Sequence, residues 1–268
     1  RRSSSACSLG RPALRWAAAR SRANTAAGQA EREQRAAVIR SRPVGLRSEV
    51  AVIGGRYIVV EGPIAVGKTS LARILADELD ADLEDDRTER NAFLGAFYRD
   101  SDRHALPTQL QFLLLRLEQQ GRIASRLAEG RPVVSDYLFV KDEIFARLTL
   151  EETEYRLYRD LARAMLHGHQ PELRPPDLVV YLEARREVLQ KRLRKRNRDF
   201  ERRITPEYLG SLAEAYRNFF HSYEDAPLLV VNSSEIDFLG NGDELVDLLR
   251  EIRSARKGVQ HYIPLGSR

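Results

Sequence analysis

The chain has 268 residues, of which 44 are Lys or Arg and 39 are Asp or Glu, so its formal net charge is +5 at pH 7. The single cysteine excludes a disulfide framework and a cysteine-rich zinc site. No stretch approaches the roughly 20 apolar residues that a membrane-spanning helix needs, so we expect no membrane association.

The positive charge is concentrated in residues 1–55, which hold 11 arginines, no lysine and three glutamates. The rest of the chain holds 33 basic and 36 acidic side chains, a net charge of −3, which argues against a nucleic-acid partner. Residues 1–55 offer little apolar surface to bury, so we expect a disordered tail. Its composition is typical of an over-extended reading frame or a mitochondrial transit peptide, so we expect a cytoplasmic protein, or a mitochondrial one if the tail is a transit peptide.

Residues 56–268 alternate short apolar runs with longer amphipathic segments. The predicted strands are Tyr57–Glu61, Pro132–Asp136, Asp177–Leu182 and Leu228–Asn232. The predicted helices cover roughly Thr69–Leu79, Leu106–Ala128, Glu151–Leu166, Arg185–Lys195, Pro206–Tyr223 and Asp243–Arg253. Strands that alternate with helices predict a single α/β domain, in which a mostly parallel sheet is covered by helices on both faces.

The loop after the first predicted strand matches the phosphate-binding pattern G-x-x-x-x-G-K-[ST] from Gly62 to Thr69. Its glycines let backbone N–H groups approach phosphate oxygens closely, at the start of a helix. Lys68 would reach the β- and γ-phosphates, and the Thr69 hydroxyl would join the shell of a Mg²⁺ ion. The predicted ATP-binding residues here are Gly62, Pro63, Ile64, Ala65, Val66, Gly67, Lys68, Thr69 and Ser70. The chain has no Asn-Lys-x-Asp guanine-reading motif, so this P-loop indicates a small-molecule kinase.

Six further stretches occur in the order of one known family and cover nearly all of residues 56–235. They are Arg56–Ile64, Asn91–Asp100, Ala105–Phe112, Val133–Asp142, Pro176–Leu182 and the arginine-rich run that ends at Glu201. Together they resemble the deoxynucleoside kinases, and most closely the bacterial deoxyguanosine/deoxyadenosine kinases. The resemblance implies a P-loop fold with an arginine-rich lid. It also implies a homodimer that uses ATP and Mg²⁺ to phosphorylate the 5′-hydroxyl of deoxynucleosides for nucleotide salvage.

The resemblance implies a catalytic carboxylate ahead of Asn91, because phosphoryl transfer needs a group that orients and deprotonates the acceptor hydroxyl. Counting back from Asn91 favours Asp86, with Glu84 as the second candidate and Asp85 as the third. The family residue is usually Glu, so a shorter Asp requires the chain to lie nearer the hydroxyl. A solvated acidic loop is the alternative interpretation of this run.

Two residues match the positions at which relatives bind the nucleoside. Gln109 matches the glutamine that pairs with the nucleobase, and its carboxamide offers a donor and an acceptor side by side. Tyr98 matches a tyrosine that contacts the sugar 3′-hydroxyl. Gln111 should face elsewhere, and Phe112 and Phe139 would either stack on the base or belong to the core. One amide can pair with a purine or a pyrimidine, so base preference stays open.

Asp136 follows the second predicted strand, where relatives carry a carboxylate that helps hold Mg²⁺ and contributes to catalysis and substrate binding. Many relatives continue with an arginine near the 5′-oxygen, whereas this chain has Tyr137. Lys141 and Arg147 are the two candidates to supply the missing charge. A strand-end helix cap is the alternative role for Asp136.

The arginine-rich run matches the family's lid pattern at Arg192, Arg196, Arg198 and Glu201. The arginines would close on triphosphate oxygens, and Glu201 would contact the sugar. The five histidines show no metal-ligand spacing, so Mg²⁺ held mostly by phosphates fits best.

Two competing functions stay open at this point. A thymidylate kinase shares the P-loop and the arginine lid but phosphorylates a nucleotide. A nucleotide-binding protein without turnover is suggested by Tyr137 and by the uncertain position of the catalytic carboxylate.

Overall fold

The computed structural model describes residues 57–168, 174–196, 201 and 204–263. The predicted tail over residues 1–55 and the predicted lid residue Arg198 lie outside the described residues. No helix within these ranges has the length and apolar character that a bilayer crossing requires.

A six-stranded sheet forms the centre of the described domain, and all of its neighbouring strands pair in parallel. The strands are β1 (Tyr57–Glu61), β2 (Asp82–Glu84), β3 (Val133–Ser135), β4 (Leu178–Glu183), β5 (Leu228–Asn232) and β6 (Val259–Tyr262). Their order across the sheet is β2-β3-β1-β4-β5-β6, so β1 lies between two strands that follow it in the chain. The predicted α/β class with a parallel sheet is confirmed.

Eight α-helices lie within the described ranges and connect or follow these strands. They are α1 (Lys68–Leu79), α2 (Leu94–Phe97), α3 (Ser101–Ala128), α4 (Asp142–Thr149), α5 (Glu152–Gly168), α6 (Arg186–Arg196), α7 (Pro206–His221) and α8 (Gly242–Ser254). Two single 3₁₀ turns, Thr88–Arg90 and Phe139–Lys141, lie beside the site described below.

The alternation of side chains along the strands builds a separate apolar cluster on each face of the sheet. On β1, Ile58 and Val60 pack with α1 and α8 on one face, whereas Tyr57 and Val59 pack with α3 and α7 on the other. A third cluster consists of helical residues from α2 to α5, among them Phe112. The sheet therefore provides a rigid platform, and the third cluster forms a helical wall beside it.

The sequence prediction missed β2, β6, α2 and α4 and placed the start of α3 five residues too late. β2 has three residues, and β6 carries a polar, half-exposed sequence, so neither gives a clear strand pattern. The helix α3 begins at Ser101 because the Asp100 carboxylate accepts a hydrogen bond from the Arg103 N–H at 3.3 Å. Pro107 lies inside this helix and concealed its first turns from the sequence pattern.

Candidate active site

The loop between β1 and α1 has the conformation that its glycines permit. Gly62 has φ 150° and Gly67 has φ 114°, in the region that favours glycine. A Cβ atom on Gly62 would lie 2.2 Å from the carbonyl oxygen of Leu182, so any side chain there would force β1 away from β4. The loop therefore brings its backbone close to its neighbours at the start of α1, as phosphate binding requires.

Lys68 and Arg192 are the two cations that contact this loop. The Lys68 ammonium donates to the carbonyl oxygens of Gly62 at 2.7 Å and Pro63 at 3.1 Å. The Arg192 guanidinium donates to Val66 O at 2.8 Å and to Ser233 Oγ at 2.9 Å. Arg192 thus connects the loop to the end of β5. The Lys68 side chain lies over the loop, with its ammonium against the loop carbonyl oxygens.

Two carboxylates meet where β2 and β3 end, because parallel strands place their carboxyl ends at one edge of the sheet. Asp136 follows β3, and its Oδ2 accepts a hydrogen bond from the Thr69 hydroxyl at 2.6 Å. Its Oδ1 accepts a hydrogen bond from the backbone N–H of Asp86, two residues beyond β2. Burial, together with the negative charge of Asp86, raises the pKa of Asp136 to about 6, although the Thr69 hydrogen bond opposes the shift.

These groups line a cavity of about 370 Å³ that extends from the phosphate loop into the helical wall. The predicted site residues on its wall are Ile64, Ala65, Lys68, Thr69, Asp85, Asp86, Tyr98, Gln109, Phe112, Asp136, Arg196 and Glu201. The volume suits a small organic molecule. The arrangement joins a phosphate-binding loop, a pair of carboxylates and a pocket with aromatic walls in a single space.

The structure does not bring every predicted residue to this cavity. Glu84 is the last residue of β2, and its buried carboxylate accepts a hydrogen bond from Arg122 at 3.1 Å and forms an ion pair with Arg126 at 2.6 Å. Arg122 and Arg126 both lie on α3, so the Glu84 carboxylate is directed to that helix and is absent from the cavity wall. Ser70 and Phe139 also lie off the cavity wall, and Phe139 packs in the helical cluster.

Gln109 lies on α3 and is 2% exposed. Its Nε2 donates to the Thr149 hydroxyl at 3.0 Å, and its Oε1 has no hydrogen-bond partner among the described residues. Gln111 instead accepts a hydrogen bond from the Ala92 N–H at 2.8 Å, so it faces elsewhere, as predicted. A buried carboxamide oxygen without a partner is the kind of group that a bound ligand satisfies.

Tyr98 and Glu201 line the same cavity, together with Arg196. Glu201 is buried and forms an ion pair with the Arg196 guanidinium. Burial raises the pKa of Tyr98 well above its usual value, assisted by the negative charge of Glu201, so the Tyr98 hydroxyl stays protonated.

Sequence reasoning missed Arg116, a buried cation on the cavity wall. Its guanidinium pairs with Asp142 and lies 3.9 Å from the ring centre of Tyr137, and its Nη2 is 3.8 Å from Asp86 Oδ2. Arg116 follows Gln109 by seven residues, which places both on one face of α3. That spacing is the signal that would have found it.

Lys141 lies on the cavity wall, whereas Arg147 is exposed and pairs with Glu143 at 3.0 Å. The Lys141 ammonium is 3.1 Å from Glu61 Oε1 and donates to the Tyr216 hydroxyl at 2.5 Å. Burial lowers its pKa to about 8, because the attraction of Glu61 only partly offsets the loss of water. Of the two candidates for the charge missing at Tyr137, only Lys141 is therefore in reach of the cavity.

A parallel α/β fold with a phosphate loop after its central strand, carboxylates at the neighbouring strand ends and an adjoining organic pocket defines a small-molecule P-loop kinase. The family model of the deoxynucleoside kinases, described as "Deoxynucleoside kinase", matches residues 58–255. The chain belongs to the deoxynucleoside kinase family. It is an enzyme that phosphorylates deoxynucleosides, with a nucleotide as the phosphate donor.

Individual relatives agree with this assignment. A deoxyadenosine kinase of Lactobacillus acidophilus is 28% identical over 207 residues, which are 74% of this chain and 94% of the relative. A deoxyguanosine kinase of Bacillus subtilis is 28% identical over 202 residues, covering 74% of this chain and 96% of the relative. The structure of a deoxyadenosine kinase from M. mycoides with bound dCTP has the same fold, with a TM-score of 0.63 and 21% identity over 74% of this chain and 99% of that one.

Proposed function

We propose that the protein transfers the γ-phosphoryl group of ATP to the 5′-hydroxyl of a deoxynucleoside that is bound in the 370 Å³ cavity. The observation that carries this proposal is the shared wall of the cavity, in which Lys68 and Thr69 lie near Asp86 and the buried amide of Gln109 lies on the same surface. Phosphoryl transfer depends mainly on positioning and on charge stabilisation, and this wall offers groups for both.

Asp86 is our candidate for the general base. Its side chain is 22% exposed and lines the cavity, and its carboxylate is not in a short hydrogen bond with Arg116, 3.8 Å away. Asp86 would accept the proton of the acceptor hydroxyl, and Arg116 lies close enough to orient its carboxylate.

Thr69 and Asp136 are our candidates to hold Mg²⁺ beside the phosphates. Both offer oxygen ligands, and the buried Asp136 carboxylate, with its raised pKa, would gain from a nearby cation. No cluster of three or more histidine, cysteine or acidic side chains with metal-site geometry occurs in the described part of the chain. These residues fit an ion that is bound chiefly through substrate phosphates and water. Held beside the phosphates by Thr69 and Asp136, such an ion would neutralise negative charge on the transferring phosphoryl group.

The remaining walls would recognise the nucleoside. Tyr98 and Glu201 would bind the sugar hydroxyl, and Gln109 would pair with the edge of the base. Lys141 would supply the positive charge that relatives draw from arginine at the position of Tyr137. Arg196 and Arg198 would contact triphosphate oxygens, whereas Arg192 would act by holding the phosphate loop, given its bonds to Val66 and Ser233.

We also propose a homodimer and a cytoplasmic location. Exposed leucines on the two long helices α3 and α5 support the dimer, since Leu114, Leu157 and Leu161 are 50%, 48% and 36% exposed. Bacterial relatives support the cytoplasmic location. We further propose that residues 56–268 form the kinase domain and residues 1–55 a tail. Sedimentation equilibrium of the purified chain would test the dimer.

The test of the proposed function is phosphoryl transfer by the purified chain from ATP, with and without Mg²⁺, to each of the four deoxynucleosides and to thymidine monophosphate. We expect product from at least one deoxynucleoside, and only when Mg²⁺ is present. Product from thymidine monophosphate alone would favour a thymidylate kinase. ATP binding without any product would contradict the proposal and favour a nucleotide-binding protein without turnover.

A further inference from the structure

Thr149, the last residue of α4, fixes the orientation of the Gln109 side-chain amide through a hydrogen bond. The Thr149 hydroxyl donates its only hydrogen to the carbonyl oxygen of Phe145 at 2.7 Å. Its oxygen can therefore only accept from Gln109, whose Nε2 lies 3.0 Å away. The amide nitrogen therefore faces Thr149. If the amide turned over, the Thr149 hydroxyl could donate to Oε1 only by giving up its hydrogen bond to the Phe145 carbonyl oxygen.

The helices α3 and α4 hold the two residues in this arrangement. Ala146 on α4 is fully buried in the same apolar cluster as Phe112 and Leu113 on α3. Gln109 is itself 2% exposed, so water cannot readily replace the Thr149 hydroxyl if the amide turns over. Thr149 thus fixes which end of the buried Gln109 carboxamide donates a hydrogen bond and which end accepts one on the cavity wall.

That order matters because the pairing edges of the bases fall into two classes. Adenine and cytosine present a ring nitrogen that accepts and an exocyclic amino group that donates, whereas hypoxanthine, guanine, uracil and thymine present a ring N–H and a carbonyl oxygen in the same two places. An amide that can turn over pairs with both classes. An amide with a fixed order pairs well with one class and leaves buried polar atoms unpaired against the other.

We propose that Thr149 is a positioning residue that makes the kinase discriminate between amino and oxo bases by locking the orientation of the Gln109 amide. This inference rests on the proposed function, because it assumes that the nucleobase occupies the cavity beside Gln109. The apolar and aromatic part of the wall contributes equally to the binding of amino bases and of oxo bases. Arg116 is held by its ion pair with Asp142, independently of Thr149.

The test compares kcat/KM for deoxyadenosine with deoxyinosine, and for deoxycytidine with deoxyuridine. Each pair differs only in its amino or oxo group and in the associated ring proton. For the wild-type enzyme we expect selectivity of about 10-fold or more in the pair it accepts better, a typical value for a bidentate base contact. Thr149→Val keeps the shape of the side chain but removes the hydroxyl, and it should reduce this ratio to about 3-fold or less. Thr149→Ser keeps the hydroxyl and should preserve the ratio.

Circular dichroism and the KM for ATP should be unchanged in both variants, which separates a change in selectivity from a loss of fold. Equal wild-type rates within each pair would overturn this inference alone. A Thr149→Val enzyme with the wild-type ratio, or a Thr149→Ser enzyme that loses it, would also overturn this inference alone. A wild-type chain that phosphorylates no deoxynucleoside would overturn both the inference and the proposed function.

Discussion

Replacing Asp86 and Glu84 separately distinguishes the proposed general base from a structural carboxylate two residues away. Asp86→Asn keeps the size of the side chain and removes the group that accepts the proton. A positioned general base contributes about 10²- to 10⁴-fold, so we expect kcat to fall by about that factor. The Asp86 side chain reaches solvent, and its nearest cation, on Arg116, is 3.8 Å away, so the free energy of unfolding should change by less than about 1 kcal/mol.

Glu84→Gln should give the opposite result. The Glu84 carboxylate is 1% exposed, accepts a hydrogen bond from Arg122 at 3.1 Å and forms an ion pair with Arg126 at 2.6 Å. Breaking a fully buried ion pair costs about 3–5 kcal/mol, but these arginines can regain water because they are 26% and 36% exposed. We therefore expect the free energy of unfolding to fall by about 2 kcal/mol, with kcat within about 3-fold of the wild type.

A coupled assay of ADP release gives kcat, and urea unfolding followed by circular dichroism gives stability. Asp85→Asn serves as a third variant of the same run, because Asp85 forms only half-exposed ion pairs with Arg73 and Arg87 and should change neither quantity much. If Glu84→Gln lost about 10²-fold in kcat while Asp86→Asn kept its activity, the assignment of the base would be wrong.

Variants at three further residues test other parts of the site. Lys68→Ala should reduce kcat by at least about 10³-fold and leave the circular dichroism spectrum unchanged, because the hydrogen bonds of Lys68 to other described residues are to loop carbonyls; unchanged turnover would contradict its role. Gly62→Ala should abolish ATP binding in a titration and lower the melting temperature, since its Cβ would lie 2.2 Å from Leu182 O; a variant that binds ATP normally would contradict the loop geometry. Because the pKa of Lys141 is lowered from 10.5 to about 8, its charge is lost as pH rises through 8, so kcat should fall above about pH 8. The unfolded chain keeps this proton up to about pH 10.5, so the contribution of Lys141 to stability should rise between pH 8 and 10.5, measured as the difference in urea unfolding from Lys141→Met. Lys141→Arg should shift the fall in kcat at alkaline pH to a higher pH, and a fall at the unchanged pH would refute the assignment of Lys141.

The sequence predicted those parts of the fold whose signals are local. The phosphate loop is a contiguous motif, and the central strands β1, β4 and β5 are continuous apolar runs, so their positions agreed with prediction within a residue or two. The short strand β2 has three residues and only its middle residue is apolar, so no pattern distinguishes it from a loop. Its absence from the prediction left the choice among Glu84, Asp85 and Asp86 open, because the end of β2 separates Glu84, which pairs with α3, from Asp85 and Asp86 on the cavity wall.

The candidate site could be predicted only as far as each residue belongs to a motif. Asp136 and Gln109 were found in this way, and both line the cavity. Arg116 and Thr149 belong to no motif, and Lys141 was one of two candidates that the sequence could not separate; their positions follow from the packing of α3 against α4 and of the 3₁₀ turn against α7. Contacts between residues that are 26 to 75 positions apart in the chain, as in Arg116–Asp142 and Lys141–Tyr216, need the tertiary structure.

The central claim is that the phosphate loop and Asp86 transfer the γ-phosphoryl group of ATP to the 5′-hydroxyl of a deoxynucleoside. Transfer from ATP labelled with ³²P at the γ-position tests it most directly, with deoxyadenosine as acceptor and 2′,5′-dideoxyadenosine, which lacks the acceptor hydroxyl, as the matched control. We expect the label in the 5′-monophosphate of deoxyadenosine, and in no product from the control or from the Lys68→Ala enzyme. Label at the 3′-position, or equal release of labelled inorganic phosphate with both nucleosides, would contradict it.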